Sequence, residues 1–128
     1  MKINDIIASK EALIKLNNIK FTDFNISYKI YKTIKTVNEI LDTVQEEQNK
    51  IIAKYVAKEE SGKLKIENNQ YQFNSDDDKM RFINELTSLK NSEVEVNKID
   101  IPVQSIQYAN ALSSSDLMTL DIFINWVE

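Results

Sequence analysis

The apolar spacing between Phe24 and Tyr55 constrains the fold of this chain more than any other feature. Apolar side chains recur every three or four residues, which is the period of one face of an α-helix. No glycine or proline interrupts the stretch, because the chain has one glycine, Gly62, and one proline, Pro102. We therefore predict a long amphipathic helix over about residues 23–58. Its stripe comprises Phe24, Tyr28, Tyr31, Ile34, Val37, Leu41, Val44, Gln48, Ile51 and Tyr55.

Such a helix is long for a chain of this size. A helix of about 35 residues extends about 50 Å at its usual rise, well beyond the ~13 Å radius of gyration of a compact 100-residue domain. The helix either breaks near residues 45–49 and packs as an antiparallel pair, or it stays extended and its stripe forms an oligomer or docks a partner. The spacing leaves both arrangements open.

The pattern changes from helical to alternating after Gly62. Two alternating runs flank Asn68 and Asn69, and asparagine tolerates the positive φ angles of a primed two-residue turn. This predicts a β-hairpin over about residues 63–73 with one apolar face that must be covered. The paired positions on that face are Ile66 with Tyr71 and Leu64 with Phe73.

Shorter elements complete the chain. Helical spacing predicts a first helix over about residues 4–16 and a third from Ser75 to about residue 89. Alternation predicts an extended segment over residues 94–103. The sequence that starts at Ser113 resembles a helix cap and predicts a closing helix that reaches the C-terminus.

These elements define an α+β fold. We predict a long amphipathic helix and shorter helices packed on a small antiparallel sheet that contains the hairpin at about residues 63–73. At 128 residues the chain has the size of one domain. We therefore predict a single domain over residues 1–128, helical over 1–60, with the hairpin, third helix, extended segment and closing helix over 61–128.

Residue types that most enzymes need are missing. The chain has no histidine and no cysteine, so the usual general base, zinc ligands and thiolate nucleophile are absent together. One glycine cannot build a phosphate-cradling loop. The acids at 76–78 suit a helix start better than a cation site. We predict no enzymatic activity, no metal and no cofactor, with hydrolysis by carboxylates alone as the residual alternative.

Charge and hydropathy bear on whether the protein binds nucleic acid, is exported or enters a membrane. Its formal charge is −4 and Arg81 is its only arginine, so nucleic acid is an unfavourable partner. The first residues lack the basic and apolar regions of a signal peptide, and no run of about 18 apolar residues occurs. We predict a soluble cytoplasmic protein that does not enter the membrane.

Two sets of side chains are candidates for binding. Lysines recur at helical spacing and could meet an anionic ligand, although lysine stems also cover the edges of apolar stripes. Aromatic side chains are common anchors of protein partners, although the same spacing is typical of a core. The candidates for an anion are Lys29, Lys32 and Lys35, and those for a protein partner are Tyr28, Tyr31, Tyr55 and Trp126.

Several short motifs are shared with phage proteins. They are Ile19-Lys20-Phe21 leading into Tyr28-Lys29-Ile30, Lys54-Tyr55, Glu60-Ser61-Gly62-Lys63, Tyr71-Gln72-Phe73, Phe82-Ile83-Asn84-Glu85-Leu86 and Leu112-Ser113-Ser114-Ser115-Asp116-Leu117. On these motifs, which span most of the chain, it resembles a loose group of small uncharacterised proteins of tailed phages and prophages of Gram-positive bacteria. The resemblance implies a phage or prophage origin and this architecture, and it brings no catalytic residues.

Three functions fit these expectations. The first is a non-catalytic phage protein that binds and modulates or inhibits a host protein, for example a component of a defence system. The second is a virion assembly or tail-associated accessory protein that forms an oligomer through the long helix. The third is a sponge that sequesters a small anionic nucleotide signal in a pocket lined by lysines and tyrosines.

Overall fold

The computed structural model describes residues 1–106 and 112–128 and confirms the α+β class. The helices are α1 (Ile3–Asn17), α2 (Phe24–Tyr55), α3 (Asp76–Lys90) and α4 (Ser114–Leu120). The strands are β1 (Ile66–Glu67), β2 (Gln70–Tyr71), β3 (Ile99–Pro102) and β4 (Ile124–Val127), and a 3₁₀ turn covers Val103–Ile106. The chain divides into two compact units, Met1–Leu41 with Glu93–Glu128, and Asp42–Ser92. The single-domain arrangement stays a prediction.

Helix α2 is continuous over 32 residues, so the long helix is confirmed and, of the two arrangements left open, the break near residues 45–49 is wrong. The helix begins where Asp23 accepts hydrogen bonds on its side chain from the Asn25 N–H at 2.8 Å and on its carbonyl from the Ser27 N–H at 3.4 Å. It ends at Tyr55, three residues before the predicted end, because Ala57 turns to hydrogen-bond with the hairpin. No glycine or proline lies inside it, so every turn keeps its backbone hydrogen bonds.

The first unit is built around an apolar core from α1, the first part of α2, α4 and the strand pair β3–β4. Ile6, Ile101, Leu120 and Phe123 are fully buried in it. Strands β3 and β4 pair in parallel, whereas the prediction had only an antiparallel sheet. The extended segment predicted at residues 94–103 contributes a strand only at its end.

The closing helix is shorter than predicted. Its start is confirmed, because the Ser113 hydroxyl accepts a hydrogen bond from the Asp116 N–H at 3.1 Å while the Asp116 carboxylate accepts one from the Ser113 N–H at 2.9 Å. The helix ends at Leu120, and the last residues form β4. The prediction that it reaches the C-terminus is therefore wrong, because the backbone from Ile124 onward pairs with β3.

The hairpin of the second unit has the predicted turn. Asn68 and Asn69 adopt φ angles of 52° and 61°, as a primed turn requires, and Ile66 pairs with Tyr71. Both of these paired side chains are exposed, so the expectation that this face is covered is wrong at the tip of the hairpin.

The predicted pairing of Leu64 with Phe73 is replaced by a different one. The chain leaving α2 occupies the open end of the hairpin, where the Ala57 N–H donates to the Gln72 carbonyl at 2.8 Å and the Lys65 N–H donates to the Ala57 carbonyl at 2.8 Å. Leu64 consequently bridges to Lys58, and Phe73 bridges to Val56.

Helix α3 covers the base of this hairpin and closes the core of the second unit. Ser75 caps it as predicted, since its hydroxyl accepts a hydrogen bond from the Asp78 N–H at 3.1 Å. Phe82 is buried against Phe73, with 5.0 Å between the ring centroids. The core of this unit is small and comprises Ile52, Tyr55, Val56 and Phe82, with half-buried Ile51, Leu64, Phe73 and Leu86 packed against it.

Candidate binding surfaces on helix α2

The first turns of α2 expose three aromatic side chains on one face, which we call the aromatic patch: Phe24, Tyr28 and Tyr31. Their exposed fractions are 74%, 48% and 54%. The spacing of four and then three residues places them in one row along the helix. The Phe24 and Tyr28 ring centroids are 5.9 Å apart with an interplanar angle of 21°, and those of Tyr28 and Tyr31 are 6.2 Å apart at 30°. The rings therefore form a short stacked ladder.

The aromatic patch is exposed because a different face of α2 is buried. Ile26, Ile30 and Val37 enter the core of the first unit, and they are no more than 8% exposed. The predicted stripe combined residues of this buried face, such as Val37, with residues of the exposed face. Its members Phe24, Tyr28 and Tyr31 are therefore exposed and are not core residues. Exposed apolar surface forgoes roughly 25 cal/mol per Å² that burial would supply, and contiguous exposed apolar patches commonly mark interaction sites.

Positive charge borders the aromatic patch. The Lys32 Nζ atom lies 5.6 Å from the centroid of the Tyr28 ring, within the range of a cation–π contact. Lys29, next to Tyr28 in sequence, is also exposed. Two of the three lysines predicted to bind an anion therefore accompany the predicted aromatic anchors.

The same two lysines line a cavity of about 560 Å³ within the first unit. One wall consists of α2 residues, and the other is the segment that leads into β3. The lining residues are Lys29, Lys32, Thr33, Thr36, Glu95, Val96, Asn97, Lys98, Ile99 and Asp100. Lys35 is not among them, and no tyrosine is, so this cavity lacks the tyrosines of the predicted pocket.

Of the two remaining aromatic candidates, Tyr55 lies in the core of the second unit and Trp126 packs against the core of the first. Tyr55 is 9% exposed, and its hydroxyl donates to the Glu85 carboxylate at 2.8 Å. Lys54 lies over the Tyr55 ring at 5.0 Å and pairs with Glu85 at 3.3 Å. Hydrogen bonding to Tyr55, followed by that to Glu85, raises the pKa of the Lys54 ammonium above its ordinary value. The arrangement joins α2 and α3 within the second unit.

Trp126 is half-buried against the core of the first unit, as part of β4. Its indole N–H is buried and has no hydrogen-bond partner among the described residues. The binding roles of Tyr55 and Trp126 stay predictions, and neither side chain contributes to the aromatic patch.

Sequence reasoning missed several residues of these surfaces. Phe24 was placed in the helical stripe but not among the binding residues. Glu95 and Lys98 belong to the extended segment predicted over residues 94–103, and neither is among the predicted binding residues. Nothing in the sequence indicates that this segment lies beside Lys29 and Lys32, because at least 60 residues separate them along the chain.

Residues 1–106 and 112–128 contain no group of three histidine, cysteine, aspartate or glutamate side chains placed to hold a metal ion. Over the same ranges, no helix has the length and apolar character required to cross a membrane.

Comparisons with known proteins add no family to these observations. No protein-family model, no curated protein and no solved structure matches this chain.

Proposed function

We propose that this protein is a non-catalytic protein-binding module and that the aromatic patch on α2 is its contact surface. The observation that supports this most is the row of exposed, mutually stacked rings of Phe24, Tyr28 and Tyr31. Aromatic side chains dominate the energetics of many protein interfaces because each removes a large apolar area from water.

The stacking prepares the patch for binding. A ring that already rests against its neighbours loses less conformational freedom when a partner covers it, so more of the contact energy appears as affinity. Tyr28 is held from two sides, by Phe24 and Tyr31, and Lys32 lies over its ring. We therefore expect Tyr28 to be the central anchor.

The surroundings of the patch indicate the chemistry of the partner. Its lysines, Lys29 and Lys32, would meet acidic side chains at the rim of an apolar groove, while the helix supplies anchors along one row. The partner we propose is a host protein in the bacterial cytoplasm, which the phage-encoded module modulates or inhibits. The resemblance of the sequence to phage proteins supports that setting.

A virion or tail assembly accessory role is the second candidate. Helix α2 is continuous over 32 residues, as repeated contacts between copies in an oligomer would require. In that case the aromatic patch would be covered by another copy of the chain or by a phage structural protein.

The experiment compares three forms of the tagged protein, expressed in a Gram-positive host during phage infection and purified gently. They are the wild type, a patch variant with Phe24, Tyr28 and Tyr31 all changed to alanine, and a control variant, Ile14→Ala with Met118→Ala. The control removes exposed apolar side chains, 53% and 75% exposed, elsewhere on the first unit. Alanine keeps the helical backbone favourable in each variant.

Mass spectrometry of the co-purifying proteins separates the candidates. A host protein near one-to-one with the wild type and the control, and absent from the patch variant, supports host modulation. Phage structural proteins with the same dependence support assembly. A partner that the patch variant retains in full would show that the aromatic patch is not the contact surface.

A further inference from the structure

The cavity beside α2 is chemically different from the aromatic patch. Eight of its ten lining residues are polar or charged, among them three lysines, Lys29, Lys32 and Lys98, and two acids, Glu95 and Asp100. Formal charges therefore leave a net charge of about +1 in the lining, whereas the whole chain carries −4. The cavity is thus a locally positive site on an acidic protein.

The charges of the lining are not consumed by ion pairs, although the Lys32 ammonium lies over the Tyr28 ring and one Asp100 oxygen accepts a hydrogen bond from the Asn125 amide at 3.2 Å. No salt bridge among the described residues involves any of the three lysines or either acid of the cavity. Lys29 and Lys32 lie three residues apart on one face of α2, where two ammonium groups repel each other. An anion placed between them would remove that repulsion, so the lining favours a negatively charged guest.

Thr33 supplies a second observation at the same site. It is only 7% exposed and lines the cavity. Its neighbour Thr36 donates its hydroxyl to the Lys32 carbonyl at 3.1 Å, as threonines in helices often do, whereas the Thr33 hydroxyl makes no hydrogen bond to another described residue. A threonine hydroxyl can both donate and accept, so this one can hydrogen-bond to solvent or to a molecule bound in the cavity.

Size and lining then define the guest. A cavity of about 560 Å³ is in the range of small-molecule sites and far exceeds the ~30 Å³ that one water occupies in the liquid, so a phosphate ion would leave much of it empty. Glu95 and Asp100 can accept hydrogen bonds from hydroxyl groups but would repel a second phosphate. No aromatic side chain lines the cavity, so a nucleobase would find no ring to stack on.

We propose that this cavity binds the phosphomonoester of a small polyhydroxylated molecule, a sugar phosphate. Lys29, Lys32 and Lys98 hold the phosphate, the Thr33 hydroxyl donates to it, and Glu95 with Asp100 accepts the hydroxyl groups. The site shares Lys29 and Lys32 with the border of the aromatic patch, but the two proposals are tested with different substitutions, so the failure of one leaves the other intact.

Isothermal titration calorimetry with ribose 5-phosphate tests the proposal on the full chain. Ribose, inorganic phosphate and adenosine monophosphate serve as comparison probes. We expect ribose 5-phosphate to bind more tightly than ribose and inorganic phosphate, since each of these lacks half of the recognised groups. Adenosine monophosphate should bind no more tightly than ribose 5-phosphate, because the base gains no stacking contact.

Matched variants assign the binding to the cavity. Lys29→Gln and Lys32→Gln should each raise the Kd for ribose 5-phosphate about tenfold, as expected for the loss of one hydrogen bond to a charged group. Lys35→Gln removes the same charge from the same helix outside the cavity and should leave the Kd within about twofold. Glu95→Gln should weaken ribose 5-phosphate while leaving inorganic phosphate unchanged or slightly stronger.

Three results would overturn the proposal. The first is no heat of binding with ribose 5-phosphate for a protein whose circular dichroism shows it folded. The second is an equal loss of affinity in Lys35→Gln and Lys29→Gln, which would show general attraction to positive charge. The third is tighter binding of inorganic phosphate than of ribose 5-phosphate, or tighter binding of adenosine monophosphate, which would show that the cavity recognises the base.

Discussion

Replacing Tyr55 with phenylalanine removes a single oxygen atom from the core of the second unit. The Tyr55 hydroxyl donates to Glu85 at 2.8 Å while the ring packs in a small apolar cluster. Phenylalanine keeps the ring and its packing, so the substitution isolates the hydrogen bond. This makes it the cleanest test of how α2 and α3 are held together within that unit.

The magnitude follows from the burial of the two partners. A hydrogen bond to a charged group contributes about 1.5–3 kcal/mol to stability. The Glu85 side chain is 40% exposed and also accepts from Lys54 at 3.3 Å, so water and that ammonium still satisfy it after the change. We therefore expect Tyr55→Phe to lower the free energy of unfolding by about 1 kcal/mol, below that range.

Urea denaturation followed by circular dichroism measures this difference. With an m value of about 2 kcal/mol per molar, the midpoint should fall by about 0.5 M with no change in slope. Glu85→Ala, and the double variant, complete a double-mutant cycle in which the coupling between the two residues should account for most of the loss. An unchanged midpoint, or an equal loss from Tyr55→Phe in the presence and absence of Glu85, would refute this account of the contact.

Further expectations concern the other unit, the hairpin turn and acid stability. Phe123→Ala should cost about 3–5 kcal/mol by opening a cavity at a fully buried position, measured by urea denaturation, and a loss below about 1 kcal/mol would contradict that burial. Asn69→Ala should cost about 1 kcal/mol because its φ angle is positive, whereas Asn69→Gly should not, as paired thermal melts would show. Hydrogen bonding from the Ser113 N–H, followed by that from Lys15, lowers the pKa of Asp116. The resulting stabilisation is present above the ordinary pKa of 3.8 and is lost as the pH falls through the lower native-state value. Asp116→Asn should therefore reduce the loss of unfolding free energy at acid pH, as measured by urea denaturation across pH. An unchanged dependence on acid pH would contradict this role.

Local patterns predicted the elements whose signals lie within a few residues. The caps at Ser75 and Ser113 were correct because a helix start depends on a side chain and the amides just after it. The turn at Asn68 and Asn69 was correct because few residues accept two successive positive φ angles. The length of α2 followed from the absence of any residue that would break it.

Errors arose where a distant segment decides the outcome. The apolar residues after Leu120 fit helical spacing, yet their backbone pairs with β3, about 25 residues earlier in the chain. Val56 and Ala57 leave α2 for a similar reason, since the hairpin offers them hydrogen bonds that a further helical turn would otherwise supply. A period in the sequence does not contain the position of such a partner.

In the candidate binding surfaces, too, local spacing predicted which residues are neighbours but not what a distant segment covers. Helical spacing correctly grouped Lys29 with Lys32, and Tyr28 with Tyr31, because neighbours on a helix face are fixed by its geometry. The same spacing could not show that Lys35 lies outside the cavity. Whether a given face of α2 is buried depends on where Ile26 and Ile30 find their core, which is set by elements far away in the chain.

The two units differ in how their residues are distributed along the chain, which sets an order in which they can form during translation. The second unit is one uninterrupted stretch, Asp42–Ser92, so all of its contacts are available once residue 92 has left the ribosome. The first unit needs β4, and its core residues Leu120, Phe123 and Ile124 are made only after the second unit is complete. Once the second unit is complete, a nascent chain still holds the apolar faces of α1 and the start of α2 uncovered for about 2–7 s, the time needed to make residues 93–127 at the usual 5–20 residues per second. During that interval those faces are accessible to chaperones.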